Sequence, residues 1–588
     1  MPHRLFSGWL VILVSDDIYD RAAGPGTSLS SAAAGPGTSV SGAAFATSCR
    51  KMKFEKPTQG SRSLKRRALK CFCQVLQAFV VFAHSVFDFV VDKVFSWYYD
   101  DSKRKTISKV ASPLLLESAV QLAEKIRRRE VSAVDVVQGF IDRIREVNPV
   151  INAVVCDRFE VALREAQDVE KLVNSGSLTP EELKKTKPFL GVPFTTKDST
   201  AAKDMLHTLG LVSRKSALAA EDADAVKQMK EAGAILIGTT NVPELNMWCE
   251  TRNNVFGQTL NPYDTRRTVG GSSGGEGSIV ATCGSPLGLA SDIGGSIRIP
   301  AFCCGVFGHK PTTGITPSKG FTLRTGKEKN SMMCVGPMCR FSEELAQFLK
   351  IIVGPNADKL QLDKQVSVED VQFFYVEASG DLRASRVGSD ARDTMLRAVS
   401  HFSRLSKHPV QKISFPELRY SFRLWRYWMS KEPAVFEEDL ANREGKVCAW
   451  QEILKKLIGC SNFTLAALIR LVDTKMPSEN PQWAEETTKS LFEKIQAKLG
   501  NNGVLLYPSS PFPAPYHFSS FLRPYNFGYW AVFNVLNLPV TQVPMGLNAD
   551  GLPLGLQVVA GMHQDHLCFA VAKELEKSFG GWVPPFKC

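Results

Sequence analysis

Between residues 269 and 300 the chain reads VGGSSGGEGSIVATCGSPLGLASDIGGSIRIP, and this stretch limits the possible folds more than any other. Glycine and serine dominate it, a composition that by itself suits a flexible linker. Linkers do not carry core-forming runs, yet Ile279-Val280-Ala281 and Leu287-Gly288-Leu289-Ala290 are of that type. Glycine costs backbone entropy and packs nothing. A chain that sets it repeatedly between apolar runs is building tight, buried turns in which the backbone itself is presented. Residues 291–298, SDIGGSIR, are the extreme case: two glycines, then the hydroxyl of Ser296, with Asp292 before and Arg298 beyond.

The remaining composition says what surrounds that segment. The 588 residues are 44% hydrophobic and 22% charged, with a net charge of +12, so a large core is affordable and low complexity is excluded for most of the chain. Positive charge concentrates at Arg50, Lys51, Lys53, Lys56, Arg62, Lys65, Arg66, Arg67 and Lys70, opposed by Glu55 alone. An apolar stretch follows directly, so this run points to an anionic membrane surface and not to nucleic acid. Residues 1–51 repeat GPGTS among Ala and Ser, a composition that builds no core and reads as a disordered extension. Within it, residues 9–14 form a short signal-like run stopped by Asp16-Asp17. Met52 follows the extension, which leaves the start site open between Met1 and Met52. Fourteen cysteines without a C-x-x-C pair are neither a disulfide framework nor a zinc ribbon; they read as free thiols in a reducing compartment. Cys71 and Cys73 are acylation candidates, against the plainer reading of two apolar cysteines.

Residues 68–97 are apolar over a length that could cross a bilayer. Gln74, Gln77, His84, Asp88 and Asp92 fall on one helical stripe. An aspartate in mid-bilayer is expensive, so a helix lying in the interface fits as well as a span, with a core helix as the third reading. Residues 450–476 read as two short apolar helices meeting near 459–462, with Lys455, Lys456, Arg470 and Lys475 beside them. That pattern suits a bilayer interface, or the core. From about residue 113 the texture is globular. Periodicity predicts helices over 116–130, 132–147 and 222–232, and strands over 189–197, 234–238, 539–547 and 552–560, the last two joined by a hairpin-type turn. Alternating strands and helices argue for one α/β catalytic domain over residues 110–588.

Residues 271–275 satisfy G-x-S-x-G, but the hydrophobic strand that a nucleophile elbow requires is missing before them. His309 shows no evident acidic partner in the sequence, which weakens a Ser-His-Asp reading. Lys197 ends the apolar, proline-pinned segment GVPFTTKD. Burial there would lower its pKa and make it a base; the alternative is a lysine paired with a nearby carboxylate.

GVPFTTKD, GGSSGGEGS and SDIGGSIRIP, in this order and spacing, resemble the amidase signature family. The similarity extends from about Leu114 to NLPVTQVPMG and GLPLGLQVVAG near the C-terminus. The resemblance implies an α/β fold with a large mixed, twisted sheet flanked by helices. It implies a Ser-Ser-Lys catalytic set, which places Lys197, Ser272 and Ser296 in those roles, with a cis peptide at Gly271–Ser272. The amides of Ile293, Gly294, Gly295 and Ser296 would form the oxyanion hole. Asp292 and Arg298 would brace that loop, a role that an ordinary structural ion pair also fills. Ser273 is the bland neighbour and Glu276 structural. No metal and no cofactor is implied.

The apolar N-terminal segment, PAFCCGVFGHKP at 300–311 and GPMCR at 336–340 resemble the fatty-acid amide hydrolase branch of that family, its second vertebrate type most. What this implies is a serine hydrolase acting on lipid amides (primary fatty amides and N-acylethanolamines) at a bilayer, on an intracellular endomembrane or lipid droplet. The rival readings are an amidotransferase A-subunit of the same family and a catalytically inactive membrane scaffold. Chain preference, membrane orientation and oligomeric state, a homo-oligomer included, stay open.

Overall fold

A computed structural model describes residues 59–586, so the expectations for residues 1–51 and for the start site lie outside the described residues. So do the side chains of Cys71 and Cys73. The chain divides into two compact units, Met1–Lys70 and Cys71–Cys588.

One mixed sheet of eleven strands organises the larger unit. The strands along the chain are β1 (Val154–Asp157), β2 (Pro193–Lys197), β3 (Ile235–Thr240), then β4 (Arg252–Asn253) and β5 (Gly257–Gln258), which pair as a separate ribbon. After them come β6 (Leu287–Asp292), β7 (Phe307–Lys310), β8 (Cys334–Cys339), β9 (Gln372–Tyr375), β10 (Gln411–Lys412), β11 (Gly503–Pro508), β12 (Val540–Leu547) and β13 (Pro553–Ala560). The sheet order is β1-β3-β2-β6-β8-β7-β12-β13-β11-β9-β10. β2 runs parallel to both β3 and β6. All three are buried along their whole length, as parallel strands covered on both faces must be. The expected C-terminal hairpin is present, and Asn548 shapes its turn: Oδ1 accepts the N–H of Asp550 and of Leu552.

The expected outer helices occupy Ala119–Arg127, Ala133–Ile151 and Asp224–Glu231. Ser118 starts the first with a reciprocal capping box to Gln121. Eight further helices concern the site and the surface: α1 (Gln59–Tyr98), α2 (Gly274–Ala281), α3 (Arg298–Cys303), α4 (Ser421–Met429), α5 (Ala449–Leu457), α6 (Leu465–Asp473), α7 (Gly528–Val535) and α8 (Asp565–Phe579). α2 is buried on every side, and its glycines let the neighbouring backbone approach closely. A Cβ on Gly275 would sit 2.6 Å from the Asn241 nitrogen.

The polar stripe of α1 has a partner in the protein. Arg523, whose side chain is 2% exposed, bonds Asp88 (Nε to Oδ1, 2.8 Å) and Asp92 (Nη1 to Oδ1, 2.8 Å), and also donates to the Asp88 carbonyl. Ser385 Oγ donates to Asp88, and His84 meets the Leu382 carbonyl at 3.4 Å. The opposite face leaves Phe79, Phe82, Phe89, Val90, Val94 and Trp97 exposed. Helix α1 ends at Tyr98, and the next ring, Tyr99, stacks on Tyr516.

Residues 450–476 do form two helices, but they differ. α6 turns Ala466, Ala467, Leu468 and Leu471 into the core. α5 leaves Trp450, Leu454 and Leu457 exposed, with Ile458 just beyond. Only the first of the pair presents an apolar face.

Candidate active site

Strand β2 delivers Lys197 to the C-terminal edge of the sheet, beside the end of β6, where Ser291 and Asp292 stand. The two strands are parallel, so their ends and the turns after them fall on one side. Lys197 is wholly buried. Its Nζ donates to Ser272 Oγ at 2.9 Å and to Ser291 Oγ at 3.1 Å. Burial pushes its pKa from 10.5 down to about 7, against the opposing pull of Asp292 and Glu276. The amine therefore exchanges its proton near neutrality.

Ser272 follows a cis peptide with Gly271, as expected. Helix α2 starts just after it, yet no strand precedes, so the segment is not a nucleophile elbow. Ser273 holds this turn to the next: its N–H donates to the Ser296 carbonyl at 3.1 Å. Among the described residues no hydrogen bond joins the Ser272 and Ser296 hydroxyls; the two segments meet through backbone.

The loop from Ile293 to Ile297 is drawn around a carboxylate. Asp292 accepts the N–H of Gly295 (2.6 Å) and of Ile297 (3.1 Å). Arg298 closes on the same carboxylate at 3.1 Å, and both side chains are fully buried. Arg298 is itself held by Gln557, Asn534 and the Trp530 carbonyl. Burial raises the Asp292 pKa, but Arg298 and the Gly295 N–H outweigh it and hold the carboxyl well below the usual range. The geometry thus narrows the four-amide set. Gly295 gives its N–H to Asp292, while the amides of Ile293, Gly294 and Ser296 meet no acceptor among the described residues. Gly295 has φ +118°, and a Cβ on Gly294 would lie 2.5 Å from Phe527 and 2.9 Å from the Trp425 indole nitrogen. That is why this backbone is bare.

Glu276 accepts Thr195 Oγ1 and Thr240 Oγ1, both at 2.7 Å, and so ties β2 to β3 beneath Lys197; burial lifts its pKa to about 7. His309 does have an acidic partner: Nε2 lies 3.0 Å from Asp565 and Nδ1 lies 2.8 Å from Thr541. Thr541 is its only hydroxyl partner among the described residues, so the pair joins β7, β12 and α8 without serving a nucleophile. Ser291 is the member that sequence reasoning missed. The register of β2 and β6, Thr196 opposite Leu289, is the signal that places it beside Lys197.

Residues 135–569 match the sequence profile of the Amidase family. The chain is 44% identical over 494 residues to fatty-acid amide hydrolase 2 of Homo sapiens, covering 82% of this chain and 93% of that protein. It is 44% identical over 489 residues to fatty-acid amide hydrolase 2-A of Danio rerio, covering 81% and 91%. Among solved structures, a fatty acid amide hydrolase shares the fold with a TM-score of 0.65 and 20% identity, over 84% of this chain and 90% of that one. Kinship over most of its length, on a shared fold whose turns converge on one buried lysine, makes this chain a member of the amidase signature family.

Proposed function

We propose that this chain is a serine hydrolase of lipid amides, cleaving primary fatty amides and N-acylethanolamines to a free fatty acid and an amine. One observation carries the chemistry: a buried lysine with a pKa near 7 lies 2.9 Å from Ser272, beside three amides that lack a protein acceptor. Neutral Lys197 takes the Ser272 proton, and Ser272 takes that of Ser296 once the two hydroxyls rotate into line. Ser296 Oγ attacks the carbonyl. The oxyanion is met by the amides of Ile293, Gly294 and Ser296. The relay then returns a proton to the departing nitrogen, without which an amine does not leave. Water releases the acyl group. The acyl chain is supported by the relatives' substrate class and by an apolar wall in which Ile293 packs with Leu424, Trp425 and Phe527. Intact mass after treatment with a long-chain fluorophosphonate tests the reading. One adduct is expected on the unaltered chain and on Ser273→Ala, and none on folded Ser296→Ala; labelling that survives Ser296→Ala overturns it.

The same reading attaches the enzyme to a membrane through the apolar faces of α1 and α5. It favours an endomembrane or lipid-droplet surface with the catalytic domain in a reducing compartment, in keeping with the free thiols of Cys303, Cys304 and the other described cysteines. Residues Gln74–Tyr98 are long and apolar enough to span. However, His84, Asp88 and Asp92 are committed to the protein. The apolar length left free, residues 71–83, reaches only about 20 Å as a helix, short of a hydrocarbon core of about 30 Å. A helix lying in the interface fits, with its basic first turns near anionic headgroups. On anionic vesicles, a tag before Met1 and the catalytic domain should be digested from the same side. Protection of the tag alone would mean a span.

A further inference from the structure

We propose that Trp425 is a positioning residue for the transition state: its indole N–H sets the peptide between Ile293 and Gly294 so that the Gly294 amide faces the oxyanion. The proposal rests on the acyl-transfer reading above. A trans peptide points its C=O and N–H in opposite directions. Trp425 Nε1 donates to the Ile293 carbonyl at 3.0 Å, so it decides where the Gly294 N–H points. The next peptide is fixed from the other side, since the Gly295 N–H is bound to Asp292. Between these two pins stands the Gly294 amide, which has no protein acceptor.

Among the described residues no other hydrogen bond reaches the Ile293 carbonyl. Gly294 has no side chain to resist rotation, and its neighbour Gly295 adopts φ +118°. A turned peptide would place a carbonyl where a donor is required. Trp425 itself is well held. It is 8% exposed, its ring meets Phe527 edge-on at 4.6 Å, and the Arg470 guanidinium lies 5.7 Å from the ring centre. The residue comes from α4, 132 positions away from the loop it serves.

A purely packing role would need only the ring; a positioning role needs the N–H. Trp425→Phe separates them in the full-length chain. Three quantities are measured: kcat and KM for a C18 primary amide, affinity for a trifluoromethyl ketone of the same chain, which binds as a tetrahedral oxyanion, and affinity for the C18 fatty acid. Removing an oxyanion donor outright costs about 10²- to 10³-fold, so displacing one should lower kcat and ketone affinity about 10- to 100-fold. KM and fatty-acid affinity should stay within about threefold of the unaltered chain, since ground-state contacts are kept. A folded variant whose kcat and ketone affinity stay within twofold overturns the proposal, as does equal weakening of ketone and fatty acid. Should Trp425→Phe not fold, Trp425→His and Trp425→Leu decide: kcat must be higher with the ring N–H donor than without it. Absence of fluorophosphonate labelling in the unaltered chain would instead remove the reading beneath the proposal.

Discussion

Burial decides the protonation of Lys197, because Asp292 and Glu276 both pull toward the ammonium form and are outweighed. The base is the neutral amine, so acid inactivates it. kcat/KM should rise about tenfold per pH unit well below 7 and level off above about 8. Lys197→Met keeps the stem and loses the base; rate should fall by about 10²- to 10⁴-fold and the inflection should vanish. Glu276 titrates in the same range as Lys197, so it is charged only in part where the lysine loses its proton. Glu276→Gln should move the inflection of the acidic limb slightly to lower pH, and an inflection that stays put would show that Glu276 does not act on the lysine. Arg298→Met leaves the Asp292 carboxylate buried and unpaired, a change worth about 3–5 kcal/mol, readable as a lower denaturation midpoint. At this scale the sequence is informative where a motif is contiguous. Lys197, Ser272, Ser296, Asp292 and Arg298 can all be named from contiguous segments; the structure brings Lys197 to Ser272 and Arg298 to Asp292, and the catalytic roles belong to the proposal above. Ser291 and Trp425 were not legible, because their roles arise from strand register and from a helix far along the chain.

Elements show the same division. Helices followed periodicity to within about four residues at each end, and the C-terminal hairpin followed its turn chemistry. Which face of an element meets the core did not follow. The stripe on α1 was visible, but Arg523 lies 435 residues from Asp88 and no local pattern announces it. α5 and α6 are both amphipathic, and only packing tells that α6 is the buried one. Replacing Leu468 by serine should therefore cost stability, by about 2–5 kcal/mol. Changing Trp450, Leu454 and Leu457 to serine should leave the melting temperature unchanged and reduce sedimentation with lipid vesicles. If the triple variant still binds vesicles as strongly, α5 is not a membrane contact.

The large sheet brings residues 154 to 560 into one layer, and α1 is built onto that body through a buried cation. Truncation before residue 99 should thus bare Arg523 and lower stability; an unchanged unfolding transition would show the helix to be a mere appendage. A last consequence follows from the amides of Ile293, Gly294 and Ser296. In the free enzyme these N–H groups have no protein acceptor among the described residues, and a hydrogen bond to a charged acceptor is worth about 1.5–3 kcal/mol. A tetrahedral adduct on Ser296 offers those groups an acceptor in the folded state and not in the unfolded one, so inhibition and heat resistance are linked. For a chain of this size each kcal/mol is worth about 1 °C, so the phosphonylated enzyme should melt a few degrees higher than the free one. A melting curve then becomes a binding assay, one that needs neither substrate nor turnover.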